Sequence, residues 1–195
     1  MANMSGPDVF ALPPSGHTYS YPGQMDDTNQ LSFRDYTNQD CDLLLATGTV
    51  HWEWFYGWHA ALAHYFPKYL TSDSCIRSFF STNVPYNFPT DVVWGDFYRS
   101  LENKIFVFKP REWRGNDASG APPFSWLNYL SEEDMAAEIT SYPHGTVTHL
   151  YLTSDGGLNL QMLYRMIDLL GDHVKVVNHE ELTEMARQRS LSLSK

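Results

Sequence analysis

The chain has 195 residues, which fits one α/β domain better than two and allows roughly 70% of the unfolded surface to be buried. Thirteen Lys and Arg against 23 Asp and Glu give a net charge of −10, which opposes the phosphate attraction behind nucleic-acid affinity, so no nucleic-acid partner is expected. With 43% hydrophobic and 18% charged residues the balance is globular, and no apolar stretch approaches the ~20 residues of a membrane-spanning helix, so no membrane partner is expected either.

Short β-branched or aromatic runs alternate with longer amphipathic stretches, the pattern of a parallel sheet with crossover helices. The expected fold is α/β, with five mainly parallel strands alternating with helices in an open sheet or a partial TIM-barrel-like one. The segment MANMSGPDVF has no charged start followed by an apolar stretch and does not read as a signal peptide. DVFAL (8–12) is the first strand candidate, ended by Pro13 and Pro14. A helix from about Thr28 to Thr47 carries Leu31, Tyr36, Leu43 and Leu44, with Gly48 as its C′ residue. The aromatic run from His51 to Phe66 reads as a second helix, ended by Pro67.

CIRSFFS (75–81) is the second strand candidate and KIFVFK (104–109) the third, stopped by Pro110. Gly115–Pro123 reads as flexible. Ser131 and Asp134 form an S-x-x-D capping box that opens a helix through Met135 and Ile139. TVTHLYLT (146–153) is the fourth strand candidate, stopped by Asp155, Gly156 and Gly157. Leu158, Met162, Leu163, Met166, Ile167 and Leu170 then make a helical stripe closed by Gly171. HVKVV (173–177) is the fifth strand candidate, Asn178 caps HEELTEMARQR, and the Ser-rich tail after Arg189 reads as flexible. No domain boundary is visible. Cys41 and Cys75 are too few for a metal site or a disulfide framework; two buried thiols and one bridge both fit.

Ligands of parallel α/β folds bind beyond the carboxyl ends of the strands, so the loops after the strands carry the functional reading. They are PPSGHTYSYP, TNVPYNFP, PREWRGND, SDGG and NHEE. They supply His17, Tyr19, Tyr21, Asn83, Tyr86, Arg111, Trp113 and Arg114 as candidate substrate-binding residues and Glu112 and Asp155 as candidate catalytic carboxylates. The PPSGHTYSYP, PREWRG and SDGG loops are expected to share one edge and one pocket. At 15% aromatic, with 6 Trp, 12 Tyr and 11 Phe, the chain has more rings than its core needs, and a surplus suits a sugar cleft, where a pyranose face packs on an aromatic plane.

The string GHTYSYP, Gly16 to Pro22, resembles the G-x-G-Y-x-Y-P signature of the GxGYxYP glycoside hydrolases. Gly16, Tyr19, Tyr21 and Pro22 are in place, and Thr18 stands where the signature has its second Gly. PREWRG, the L-x-SDGG stretch before a helix, and the VVNHEEL-x-x-MA-x-x-R ending resemble that family's closing half, so the likeness runs through most of the chain. It implies a carbohydrate-processing protein with a barrel-like α/β domain, acting on a carbohydrate substrate. The family's upstream Asp-rich S-D-G-D-N stretch has no counterpart here. The chain is then either a C-terminal fragment, partnered by an upstream domain of its parent, or a reduced member.

Glycoside hydrolysis uses one carboxyl group to protonate the leaving oxygen and another as nucleophile or water-activating base. Glu112 and Asp155 are the best pair, with Arg111 and Arg114 placed to hold Glu112 ionised. The competing readings are that Asp155 begins a tight turn or caps a helix and that Glu112 is a structural partner of an arginine. Carboxylates pinned in salt bridges would favour a second class of function, a carbohydrate-binding or structural domain without catalysis. The run from His51 to Phe66 holds three histidines and Glu53, but His59 and His64 are five apart and no H-E-x-x-H occurs, so no metal is expected. It reads as a buried aromatic helix with Trp52 or Trp54 as possible stacking platforms at its start. His17 lies inside the signature loop, within reach of a sugar hydroxyl. Tyr19 and Tyr21 alternate along an extended segment, which puts both rings on one side, facing substrate or, alternatively, the core. No nucleophile elbow, P-loop or dinucleotide fingerprint occurs, and no cofactor is expected.

Overall fold

SFFS and IFVF are buried at every position, which only a sheet covered on both faces allows. A computed structural model of the chain describes residues 9–54, 57–82, 97–119 and 129–193. Its main sheet contains β1 (Ala11–Leu12), β2 (Gly48–His51), β3 (Ser78–Ser81), β4 (Tyr98–Leu101) and β5 (Ile105–Phe108), in the spatial order β1-β2-β3-β5-β4. β1, β2, β3 and β5 pair in parallel, with Gly48 opposite Ser78 and Ser78 opposite Phe106. β4 runs antiparallel to β5 through a hairpin whose Glu102 and Asn103 have φ of 52° and 55°, the two positive values that a tight hairpin turn requires. The fold is thus α/β with a mostly parallel five-stranded sheet, and the described strands form no closed barrel.

The helices are α1 (Asp27–Leu44), α2 (Gly57–Ala60), α3 (Glu132–Thr140), α4 (Leu160–Leu169) and α5 (His179–Leu193). The described residues divide into two compact units, the first comprising Met1–Pro110, Val147–His149 and Asn178–Lys195, the second Arg111–Thr146 and Leu150–Val177. In the first unit alternate residues of each strand serve opposite layers, as the period of two dictates. Phe79, Ile105 and Val107 join Phe33 of α1 and Trp58, Tyr65, Phe66 and Tyr69 in one core. Phe80, Phe106 and Phe108 pack on the other face with Val147 and with Leu182, Met185 and Ala186 of α5. β6 (Pro110–Gly115) and β7 (His149–Gly156) pair in a two-stranded sheet that belongs to the second unit from Arg111 and Leu150 onward, and Trp113, Met135, Ala136, Met162 and Met166 form that unit's core with α3 and α4.

Several elements differ from those the sequence suggests. α1 ends at Leu45, which takes the left-handed conformation at φ 55°, and Gly48 instead opens β2. A Cβ on Gly48 would lie 2.8 Å from the Phe80 ring and 2.9 Å from Ser78 Oγ, so the glycine serves strand packing and not a helix end. His51 to Phe66 is not one helix: His51 ends β2, and after α2 the chain continues as a π turn (Ala61–Tyr65) and a 3-10 turn (Phe66–Tyr69) around Pro67. HVKVV forms no strand; Val176 is 60% exposed, so its alternation is not matched by burial. The Ser-rich tail after Arg189 continues α5 as far as Leu193. Of the two readings for the cysteines, the bridge holds: Cys41 of α1 is joined to Cys75. The caps at Ser131 and Asn178 form, accepting the Asp134 and Glu181 amides at 3.1 and 2.9 Å.

Candidate functional site

Beyond β1 the chain must reverse sharply. Gly16 does this at φ 118°, and a Cβ there would meet Thr37 Oγ1 at 2.6 Å, which explains the glycine that opens the signature. Among the described residues the non-glycine positions at positive φ are Leu45, Glu102 and Asn103, so Thr18 takes the place of the second Gly without that strain. Ser15, fully buried, then ties this segment to the one leaving β2. Its hydroxyl accepts the Trp52 amide at 3.0 Å and lies 2.8 and 2.9 Å from the Trp52 and Ser20 carbonyls.

The two segments carry four neighbouring aromatic rings. Tyr19 meets Tyr21 edge to face at 5.9 Å between centroids, with hydroxyl oxygens 3.4 Å apart. Tyr19 adjoins Trp52 at 6.2 Å, and Tyr21 adjoins Trp54 at 6.3 Å. Tyr19 is 60% exposed and Trp54 50% exposed, while Tyr21 and Trp52 are half-buried, so the row forms a ledge open to solvent at Tyr19 and Trp54. His17 stands apart from it, its ring stacked on Tyr36 at 5.0 Å and its Nδ1 2.7 Å from Asp40 Oδ2.

Along V-H-W-E-W the alternation of an extended chain sends Trp52 and Trp54 outward and His51 and Glu53 inward. His51 is 0% and Glu53 2% exposed. Glu53 Oε1 accepts the Gly23 amide at 2.6 Å and lies 3.0 Å from His51 Nε2. The His51 ring is held by Tyr65, Phe66, Trp58 and Phe79, the closest centroid being that of Phe66 at 4.7 Å. Read as a helix, the segment from His51 to Phe66 does not reveal this buried pair. The alternating pattern was the signal that could have revealed it.

The second unit holds the other candidates. Glu112 and Asp155, expected in loops after strands, fall inside β6 and β7. Glu112 is 2% exposed and ion-paired with Arg114, two positions along the same strand face. Arg111 makes a forked ion pair with Glu138, which also accepts the Tyr142 hydroxyl at 2.7 Å. Burial alone would raise the Glu138 pKa, but the Arg111 and Tyr142 hydrogen bonds prevail and hold it below the usual range. Burial and the same carboxylate push the Tyr142 phenol up. Trp113 is 0% exposed, and its indole N–H donates to the Leu130 carbonyl at 2.9 Å, so it fills the core and presents no face to a ligand. Asn83 and Tyr86 lie outside the described residues, as does the Asp155 side chain. Tyr19, Tyr21 and His17 thus belong to the first unit, whereas Arg111, Glu112, Trp113 and Arg114 belong to the second.

This architecture is a mixed α/β fold with a mostly parallel sheet. It is shared with a putative hydrolase from Bacteroides thetaiotaomicron VPI-5482, at a TM-score of 0.73 and 20% sequence identity, over 96% of this chain and 34% of that one. The chain therefore spans about a third of that protein's length. No protein-family model matches the chain, and no curated protein matches it.

Proposed function

We propose that the chain is the sugar-binding part of a carbohydrate-processing hydrolase of the GxGYxYP type, with the Tyr19, Tyr21, Trp52 and Trp54 ledge as the surface that receives a glycan. The ledge carries this reading: four rings in succession, two of them at least half exposed, beyond the carboxyl ends of two parallel strands. The apolar face of each sugar ring packs on an aromatic plane, and the tyrosine hydroxyls meet its polar substituents. Bond cleavage by Glu112 and Asp155, one protonating the leaving oxygen and the other attacking or activating water, is the finer form of this proposal, and it requires Glu112, 2% exposed, to leave its ion pair with Arg114 before it can meet a glycan. A second reading, carbohydrate binding without catalysis, is favoured by one observation, the enclosure of Glu112 in its ion pair with Arg114.

Titration with cellohexaose, xylohexaose, mannohexaose and chitohexaose, followed by product analysis, tests both. Binding by at least one, weakened roughly tenfold in Trp54→Ala, is expected from the loss of about 1–3 kcal/mol of ring contact. Absence of binding across the panel overturns the glycan reading. Hydrolysis that disappears in Glu112→Gln while binding persists supports the catalytic reading, and binding without any hydrolysis supports the second.

A further inference from the structure

We infer that Glu53 is a positioning residue: with His51 it forms a buried latch that sets the angle between the Tyr21 and Trp54 rings. The inference rests on the glycan reading for its purpose, though not for its geometry. The ledge is made by two segments with no strand pairing between them at the rings, since β1 ends at Leu12 and β2 at His51. Two buried polar groups join them instead. Ser15 fixes the Ser20 and Trp52 end. Glu53 fixes the other end, because its Oε1 accepts the amide of Gly23, two residues beyond Tyr21, while Glu53 itself immediately precedes Trp54.

A latch works only if it is itself immobile. The His51 ring is enclosed by four aromatic side chains and presents Nε2 to the same Oε1 at 3.0 Å, so the packed core orients the carboxylate. Glycines close around it from the other side. A Cβ on Gly57 would lie 2.5 Å from Glu53 Oε2, and one on Gly23 would meet the Gly57 carbonyl at 2.2 Å and Glu53 Oε2 at 2.9 Å, so only glycine lets these two segments close around the carboxylate. At 2% exposure Glu53 cannot touch a glycan directly. Its effect is transmitted from core to His51, to Glu53, to the Gly23 amide and so to Tyr21, and its result is a preordered aromatic surface whose rings need not be immobilised when a glycan arrives.

The test uses the whole chain with 5-fluorotryptophan incorporated, the Trp54 fluorine resonance being assigned by Trp54→Phe, at a temperature where far-ultraviolet circular dichroism shows every variant folded. Glu53→Ala should broaden or shift the Trp54 resonance and weaken the best-binding hexasaccharide roughly 3- to 10-fold, the effect of one or two rings having to be ordered on binding. Glu53→Gln retains an oxygen for the Gly23 amide and should leave the resonance in place and affinity within about twofold. An unchanged Trp54 resonance in folded Glu53→Ala overturns the latch. So does Glu53→Gln that binds normally yet loses hydrolysis, since that would place Glu53 in the chemistry. Should no hexasaccharide bind the unmodified chain, the glycan reading fails, and the fluorine resonance still decides whether the latch exists.

Discussion

The two units use similar residues in opposite ways. In the first, Tyr19, Tyr21, Trp52 and Trp54 lie on segments that follow parallel strands, and the Tyr19 and Trp54 rings are exposed while His51 and Glu53 are held inside. In the second, Arg111, Glu112, Trp113 and Arg114 lie within a strand, where Trp113 fills the core and the charged groups are engaged with Glu138 or with one another. Tryptophan, arginine and carboxylate near a strand end therefore do not by themselves define a site. What separates the two is whether the backbone has already been released from the sheet, because only then can large rings be exposed without opening the core.

The comparison is broken most forcefully at Trp113. Trp113→Ala should cost about 3–5 kcal/mol by urea unfolding, from the cavity and the lost burial, while the affinity of the folded protein for a hexasaccharide stays the same. A folded, stable variant with lost affinity would instead return Trp113 to the ligand surface. The cross-link between Cys41 and Cys75 comes next. It closes a separation of 34 residues, so reducing it, or replacing both cysteines with alanine, should cost about 3–4 kcal/mol in the same measurement. Equal unfolding midpoints with and without reductant would show that the bridge adds nothing to the first unit.

Acid should distinguish the units further. Burial pushes the His149 imidazole down to about 4, against a weaker opposing hydrogen bond from the Ser81 backbone. Since the unfolded histidine titrates near ~6.5, the unfolded chain binds the extra proton first, and this contribution is fully present above about pH 6.5 and declines as pH falls toward 4. Glu138 in the second unit is a depressed carboxylate, whose contribution is present above the ordinary carboxylate range and lost only as pH falls through its lower folded value. Unfolding free energy should therefore drop between about pH 6.5 and 5 in the parent protein and be flatter there in His149→Phe, with Glu138→Gln altering only the more acidic limb. An unaltered slope in His149→Phe would remove the histidine from the account.

Much of the scaffold was legible in the sequence. SFFS and IFVF are short apolar runs with turn residues around them, and the caps at Ser131 and Asn178 follow from side chains that reach their own helix amides. The failures have a common cause. A short run such as GTVH or HVKVV carries too little pattern to show whether a neighbouring strand waits for it, and that is a tertiary fact: GTVH finds Ser78–Ser81 beside it, whereas Val176 stays exposed. The site divides along the same line. That the Tyr19 and Tyr21 rings are neighbours was legible because their spacing acts locally, and so was the exposure of Trp54, whereas Trp52 is half-buried. The Glu53 contact to Gly23 joins residues 30 apart, which no local pattern encodes.

The smallest expected effect is also the sharpest probe of the ledge, the paired substitutions Tyr19→Phe and Tyr21→Phe. Each keeps the ring and removes one hydroxyl, so stacking on a sugar face is preserved and only polar contacts change. The two hydroxyl oxygens are 3.4 Å apart, a long contact at an exposed position whose loss should alter stability by less than about 0.5 kcal/mol for Tyr19. Tyr21 is less exposed, and its ring is bracketed by Tyr19 and Trp54, so its variant should cost slightly more. If the hydroxyls meet a glycan, each change should weaken hexasaccharide binding by about 1 kcal/mol, roughly fivefold, measured calorimetrically beside the melting temperature. Loss of affinity at constant melting temperature places these tyrosines on the binding surface. The reverse result, affinity unchanged and melting temperature lowered, would make them supports of the turn after β1 and leave the ledge without its polar contacts.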